Sequence, residues 1–389
     1  MTMLQTTLSS SFNRFFESEK SSGIVLIFCT IISLLVANSA FGPAYLDFWH
    51  IKVAGLSLEH WANDALMAVF FLFVGLELER ELYVGELSNF RKALLPIIAA
   101  AGGIVVPAGI HYALNADLPT QAGAGIPMAT DIAFALGVLA LLGSRVPASL
   151  KVFLTALAVM DDLGAIVVIA IFYTTHFSPA YLLAAFAVFG VLIILNRLRV
   201  MSLLPYLLGG VLMWFLMLKS GVHATIAGVL LAFAIPFSGH GNDESSPSHH
   251  LEHLLYKPVA FIILPIFALA NTGIIIAAGW QEELLSSNSL GILGGLVLGK
   301  PLGIFLASLL AVAVGVCVLP GDLKRRHILG AGLLGGIGFT MSIFITNLAF
   351  QDSPSLINAS KMAILMASLA AGALGFIWLR LSSPLRNAT

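Results

Sequence analysis

Apolar runs of sixteen to twenty-eight residues, separated by short polar breaks, recur along the chain from Gly23 to Leu381. A helix crossing a bilayer needs about 20 predominantly apolar residues, so this pattern predicts a series of membrane spans. Twelve are expected, at 23–38, 60–78, 93–114, 122–143, 150–174, 180–196, 203–218, 221–237, 257–279, 290–317, 328–350 and 357–381. The run 23–38 lacks a strongly basic leader and is read as a retained first helix rather than a cleaved signal. Two segments between spans stand out. Asp47 to Glu59, with apolar stretches on either side of Gly55, predicts a small β-hairpin, and Gly239 to His253, rich in Ser, Gly, Asp and His, predicts a flexible loop.

Charge gives these spans a direction. With both termini placed on the cytoplasmic side, fifteen of the nineteen basic residues fall on inner segments; only Lys52, Lys219 and Lys361 fall on outer ones, and Lys300 lies within a span. That is the bias expected of a membrane protein. Composition agrees, since 59% of residues are hydrophobic and only 10% charged, where soluble domains carry about a quarter. The fold class expected is an all-α polytopic membrane protein. Cys29 and Cys317 lie in apolar runs without further ligands, so neither a disulfide framework nor a zinc site is expected. A net charge of -1 gives no reason for a nucleic-acid partner. No phosphate-binding loop suggests coupling to ATP.

An ionisable side chain deep in a bilayer is costly, and by default it marks an ion path, a proton relay or a substrate site. Asp161 and Asp162 lie about eleven residues into their span, which at a rise of ~1.5 Å per residue places them near the midplane. The same arithmetic brings Asp131 and Lys300 to comparable depth. A structural ion pair is the plainer alternative. Two adjacent aspartates point about 100° apart on a helix, however, so Lys300 can pair closely with only one of them. The other carboxylate then needs a proton or a metal cation. Alternation between the two is what an ion exchanger requires.

Two spans carry backbone signals at the same depth. Pro127, in Gly125-Ile126-Pro127-Met128-Ala129-Thr130-Asp131, removes a backbone donor, and Gly335-Gly336-Ile337-Gly338-Phe339-Thr340 loads span 11 with glycine. Both spans are expected to be interrupted. Unwound backbone is tolerated at that depth only inside protein or beside a cavity, and paired broken helices point to a transporter's binding site. The half-helix starts would carry partial positive charge and the ends partial negative charge, which Asp131 and Lys300 could offset. Glycines 291, 295, 299 and 303 form a bare stripe that permits close helix packing beside Lys300.

Taken together, Ala129-Thr130-Asp131-Ile132-Ala133-Phe134-Ala135-Leu136-Gly137, Asp161-Asp162-Leu163-Gly164-Ala165, Gly299-Lys300-Pro301-Leu302-Gly303 and Gly338-Phe339-Thr340-Met341-Ser342 resemble the NhaA family of sodium/proton antiporters. The resemblance runs essentially end to end. That family is itself among the examples behind the broken-helix rule, so agreement with the rule adds no independent support. The resemblance implies electrogenic, pH-regulated export of sodium, or lithium, in exchange for protons by alternating access, with no cofactor. It implies inverted repeats, a core bundle at about 93–174 and 290–381, and an interface bundle at about 12–78 and 180–279. It further implies a homodimer built partly through the outer hairpin and a place in the bacterial inner membrane.

By the same resemblance, Asp162 matches the principal sodium ligand and Asp161 its partner, paired with Lys300. Thr130, a further candidate ligand, Asp131 and Thr340 match the broken-helix positions, and Asp64 fits the family pattern with a secondary role at most. Glu77, Arg80, Glu81, Glu252, His253 and Gly338 match positions linked to pH response. Glu79 and His249-His250 depart from the family, standing where basic residues would be expected. For pH dependence two readings stay open: a sensor at the histidine-rich mouth, or competition of protons and sodium for the carboxylates, which is taken as the main effect.

Of three other classes of function, the same residues disfavour two, and the third, a solute symporter, is left to a flux measurement. An intramembrane aspartyl protease needs its two aspartates on different helices. A channel has no use for a midplane lysine competing for the carboxylates. A solute symporter would show no sodium-driven proton flux without an organic solute.

Overall fold

The computed structural model describes residues 21–174, 177–237, 246–276 and 279–383. The expected stretches 12–20 and 239–245 lie outside the described residues. The chain is mostly helical. Among the described residues seven helices are long and apolar enough to cross a membrane: Leu58–Tyr83, Ala93–Leu114, Ala148–Phe172, Pro179–Arg197, Pro247–Asn271, Ser287–Ala313 and Pro354–Ser382. Counting each of three bent pairs as one span brings the number to ten. The pairs are Ser21–Ala37 with Gly42–His50, bent by 114°, Pro119–Met128 with Ile132–Leu141, bent by 43°, and Arg325–Gly335 with Phe339–Ala349, bent by 47°. Large apolar side chains such as Phe172 (73% exposed) and Leu369 (76%) stand on the surface, as a lipid environment permits.

The only sheet among the described residues is the expected hairpin. Lys52 pairs with Ser57 and Val53 with Leu56. Ala54 and Gly55, at φ 52° and 88°, make the left-handed two-residue turn that suits the twist of paired strands. The indole of Trp61 donates to the Val53 carbonyl at 2.9 Å and fixes the hairpin to the helix that follows.

Several expected boundaries are corrected. The loop drawn to His253 is helical from Pro247, because the Ser246 hydroxyl accepts from the His249 amide and Pro247 is preset for a first turn that needs no donor. That helix ends at Asn271 rather than 279. Span 8, expected at 221–237, is helical only over Ile226–Ala234, after Gly221 closes the preceding helix in the left-handed conformation at φ 81°.

The chain divides into two compact units. One holds the described residues up to Leu34, Leu94–Gly164 and those from Ile274 onward. Its glycine stripe meets the Ala93–Leu114 helix so closely that a Cβ on Gly303 would lie 2.1 Å from the Gly102 carbonyl oxygen. Gly295–Gly299 winds as a π-helical turn directly before Lys300, a distortion frequent at functional sites. The other unit holds Leu35–Ala93 and Ala165–Gly273, around an apolar core that includes Tyr206, Met213, Leu231 and Leu251.

Candidate functional site

Four buried ionisable groups of the first unit come from three helical segments. Asp161 and Asp162 are 0% and 2% exposed in the Ala148–Phe172 helix, Lys300 is 0% exposed, and Asp131 is 2% exposed. A charge in such a place needs a partner, because the low dielectric makes an isolated ion far costlier than in water. Lys300 Nζ lies 2.8 Å from Asp161 Oδ2 and also donates to the Met128 carbonyl. The other oxygen of Asp161, Oδ1, is buried with no hydrogen-bond partner among the described residues. Asp162 stands close enough to Lys300 to interact with it electrostatically.

The two breaks supply the rest of the setting. Thr130 Oγ1 lies 2.6 Å from Asp161 Oδ2 and 2.9 Å from the Gly335 carbonyl oxygen. Its single proton serves one of these acceptors at a time. Asp131 Oδ1 accepts from the Phe134 amide at 3.1 Å and so caps the Ile132–Leu141 helix. Its Oδ2 accepts from the amide and the hydroxyl of Thr340, at 3.1 and 2.5 Å, at the start of the Phe339–Ala349 helix. One carboxylate thus faces two helix N-termini, each carrying roughly half a positive charge. Lys300 faces the opposite polarity, at the end of Pro119–Met128 and beside Gly335, where an added Cβ would lie 3.9 Å from Lys300 Cε. The Asp131 amide donates to the Ile337 carbonyl at 2.6 Å and ties the breaks together directly.

Ser342 belongs to the same crossing: its hydroxyl donates to the Ile126 carbonyl at 2.7 Å. Sequence reasoning did not single it out, nor the carbonyls of Ile126, Met128 and Gly335. Position 342 lies inside one of the resemblance motifs, the one signal that could have drawn attention to it.

The second unit gathers most of the expected pH-response residues around one guanidinium. Arg80 lies 2.8 Å from Glu252, 3.1 Å from Glu81 and 3.9 Å from Glu77. His249 Nδ1 is 3.9 Å from Glu252, and its ring stands edge-on to that of His253 with centroids 4.7 Å apart. His250 is exposed. Glu79 is buried and accepts from the Ser248 hydroxyl at 2.9 Å. Gly338 is not part of this cluster; it lies in the first unit, at the start of the Phe339–Ala349 helix. Asp64, in the second unit, pairs with His60 at 2.6 Å.

A carboxylate pair that faces one lysine, beside hydroxyl and carbonyl oxygens, offers hard oxygen ligands to a small cation and sites for a proton. Among the described residues no cluster of His, Cys, Asp and Glu could hold a resident metal ion.

Comparison with known proteins follows the same line. The family described as "Na+/H+ antiporter 1" matches residues 13–379. Among relatives named Na(+)/H(+) antiporter NhaA, that of Dechloromonas aromatica is 78% identical over 376 residues, covering 96% of this chain and 97% of its own. That of Flavobacterium psychrophilum is 60% identical over 373 residues, covering 96% of each chain. That of Vibrio cholerae is 50% identical over 383 residues, covering 98% of this chain and all of its own.

Proposed function

Since the chain belongs to the Na+/H+ antiporter 1 family, we propose that its exchange of sodium for protons runs through Asp161 and Asp162, electrogenically and under control of pH. It is a secondary transporter rather than an enzyme, and its cargo is ions rather than a cofactor. The observation that carries the site reading is the fully buried Lys300–Asp161 pair at the ends of two helices, with Asp162 beside it.

Asp162 is the principal sodium ligand, and Asp161 and Thr130 contribute oxygens. A bare carboxylate is disfavoured in so dry a place, so the pair carries protons when sodium is absent and gives them up when sodium binds. Lys300 compensates the pair's charge, and Asp131 and Thr340 hold the two helix starts at fixed distance. Lithium, also a small hard cation, substitutes for sodium. Opening to one side at a time, with protons moving inward down their gradient, expels the cation.

The architecture is read as twelve spans. The seven long helices are joined by Ser21–Ala37, Leu204–Ser220, Ile226–Ala234 and the bent pairs 119–141 and 325–349, each pair one broken span. The segments 93–174 and 290–381 form the core bundle with inverted repeats; 12–78 and 180–279 form the interface bundle, whose hairpin joins a second copy in a homodimer. The protein lies in the inner membrane with both termini cytoplasmic, in keeping with the basic inner segments. The Glu77, Arg80, Glu81, Glu252 and His253 cluster modulates the pH range, and Gly338 responds at the crossing.

Proteoliposomes holding the purified protein test this reading. A sodium gradient without organic solute should drive proton flux with net charge movement, and Asp162→Asn should abolish it. Robust exchange by Asp162→Asn would remove that residue from the centre.

A further inference from the structure

We propose that Ser342 is a positioning residue of the transport cycle. Its hydroxyl holds the Ile126 carbonyl across the two breaks and can exchange that acceptor for the Gly338 carbonyl of its own helix, so the breaks separate without stranding a buried donor. The proposal rests on the reading that both breaks border the transported-ion site.

Buried hydroxyls on the helices of this protein commonly donate four residues back: Thr30 to Leu26 at 2.8 Å, Thr272 to Ala268 at 2.7 Å and Thr346 to Ser342 at 2.9 Å. Such back-bonding is the default for a hydroxyl in an apolar helix. Ser342, 0% exposed, departs from it. The carbonyl four residues back, Gly338, takes the Ser342 amide at 2.8 Å and keeps a second lone pair, yet the hydroxyl reaches instead to Ile126 at 2.7 Å.

Both ends of that bond have a physical reason. Ile126 stands in the last turn of Pro119–Met128, where carbonyls have no partner within the helix. Ser342 serves the Ile126 carbonyl as Lys300 serves that of Met128. Gly338 has φ -89° and ψ -19°, a conformation open to any residue, so backbone geometry does not demand glycine there. Space does. A Cβ at 338 would lie 2.2 Å from Ser342 Oγ and 3.0 Å from Leu296 Cδ2. The missing side chain leaves the room in which the hydroxyl chooses between its two acceptors, and one neutral hydrogen bond replaces another when it changes over.

Sodium titrations of exchange in proteoliposomes test the idea with Ser342→Ala, Ser342→Thr, Gly338→Ala and the Gly338→Ala/Ser342→Ala double variant. Ser342→Ala should shift half-saturating sodium about two- to tenfold, the change expected for one buried hydrogen bond, with its melting temperature near the parent's. Ser342→Thr, which keeps the hydroxyl, should recover the parental value. Gly338→Ala should reproduce the shift, and the double variant should go no further than either single one. If Ser342→Ala melts early, Ser342→Cys, nearly the same size and a poor donor, should still show the kinetic shift. Parental half-saturation and maximal rate in Ser342→Ala or Ser342→Cys, or additive effects in the double variant, would overturn the proposal. Asp162→Asn in the same vesicles separates the two failures. Loss of exchange there beside a silent Ser342 sinks only this inference, whereas surviving exchange sinks the site reading and this inference with it.

Discussion

Replacing Lys300 by Met removes the ammonium while filling most of the volume that the side chain occupied, so the penalty reports charge rather than cavity. Lys300 and Asp161 are both 0% exposed and lie 2.8 Å apart, so the variant leaves a buried carboxylate whose Oδ2 retains only Thr130. The cheapest response is to take up a proton. From the ordinary aspartate value of about 3.9, holding that proton costs about 4 kcal/mol at pH 7 and about 1.5 kcal/mol at pH 5. The pH 7 figure falls within the roughly 3–5 kcal/mol expected when one member of a buried pair is removed. The folded variant then binds one proton more than the unfolded chain above pH 4, so its stability relative to the parent falls as pH rises. Unfolding of purified protein in detergent, followed at pH 5 and pH 7, should show a deficit that grows with pH. Replacing Asp161 by Asn in the same variant should remove most of that dependence. A Lys300→Met protein that unfolds like the parent at both values, or with a deficit that pH does not change, would refute the pairing.

Other outcomes follow from the same contacts. Arg80→Gln leaves Glu77, Glu81 and Glu252 without their shared cation; a proton on the cluster then relieves repulsion, so half-activation should move to higher pH, and an unmoved pH profile would count against the cluster's role. Gly102→Ala should melt well below the parent, because its Cβ would meet the Gly303 carbonyl oxygen at 2.3 Å, whereas Gly109→Ala on the same helix meets nothing within 4 Å and should be tolerated. Equal melting of those two variants would show that the seam between the helices is looser than described.

Charge inside an apolar run was the feature most legible in the sequence. Asp131, Asp161, Asp162 and Lys300 stand out because a bilayer tolerates such residues only for a reason, and the fold buries all four. The hairpin was legible too, since Gly55 between two short apolar stretches leaves few other conformations. Partners contributed by backbone were not. Every residue has a carbonyl, so nothing in the letters at 126, 128 or 335 marks them as acceptors for Ser342, Lys300 and Thr130. The early start of the Pro247 helix was missed for another reason. Ser246-Pro247 is a sound start signal, but the polar residues around it carry none of the apolar content by which a membrane span is recognised. The Glu79–Ser248 contact joins residues 169 positions apart, a juxtaposition only the folded chain creates.

The central claim is that sodium and protons compete for one pair of buried carboxylates. Exchange rates across a full sodium titration, taken at several pH values with equal pH on both sides of the membrane, test it most directly. Competition predicts that half-saturating sodium rises as pH falls while saturating sodium recovers a common maximum. A half-saturation that stays constant while the maximum falls, with the fall abolished by replacing His249, His250 and His253, would contradict it and place pH control in the histidine-rich mouth instead.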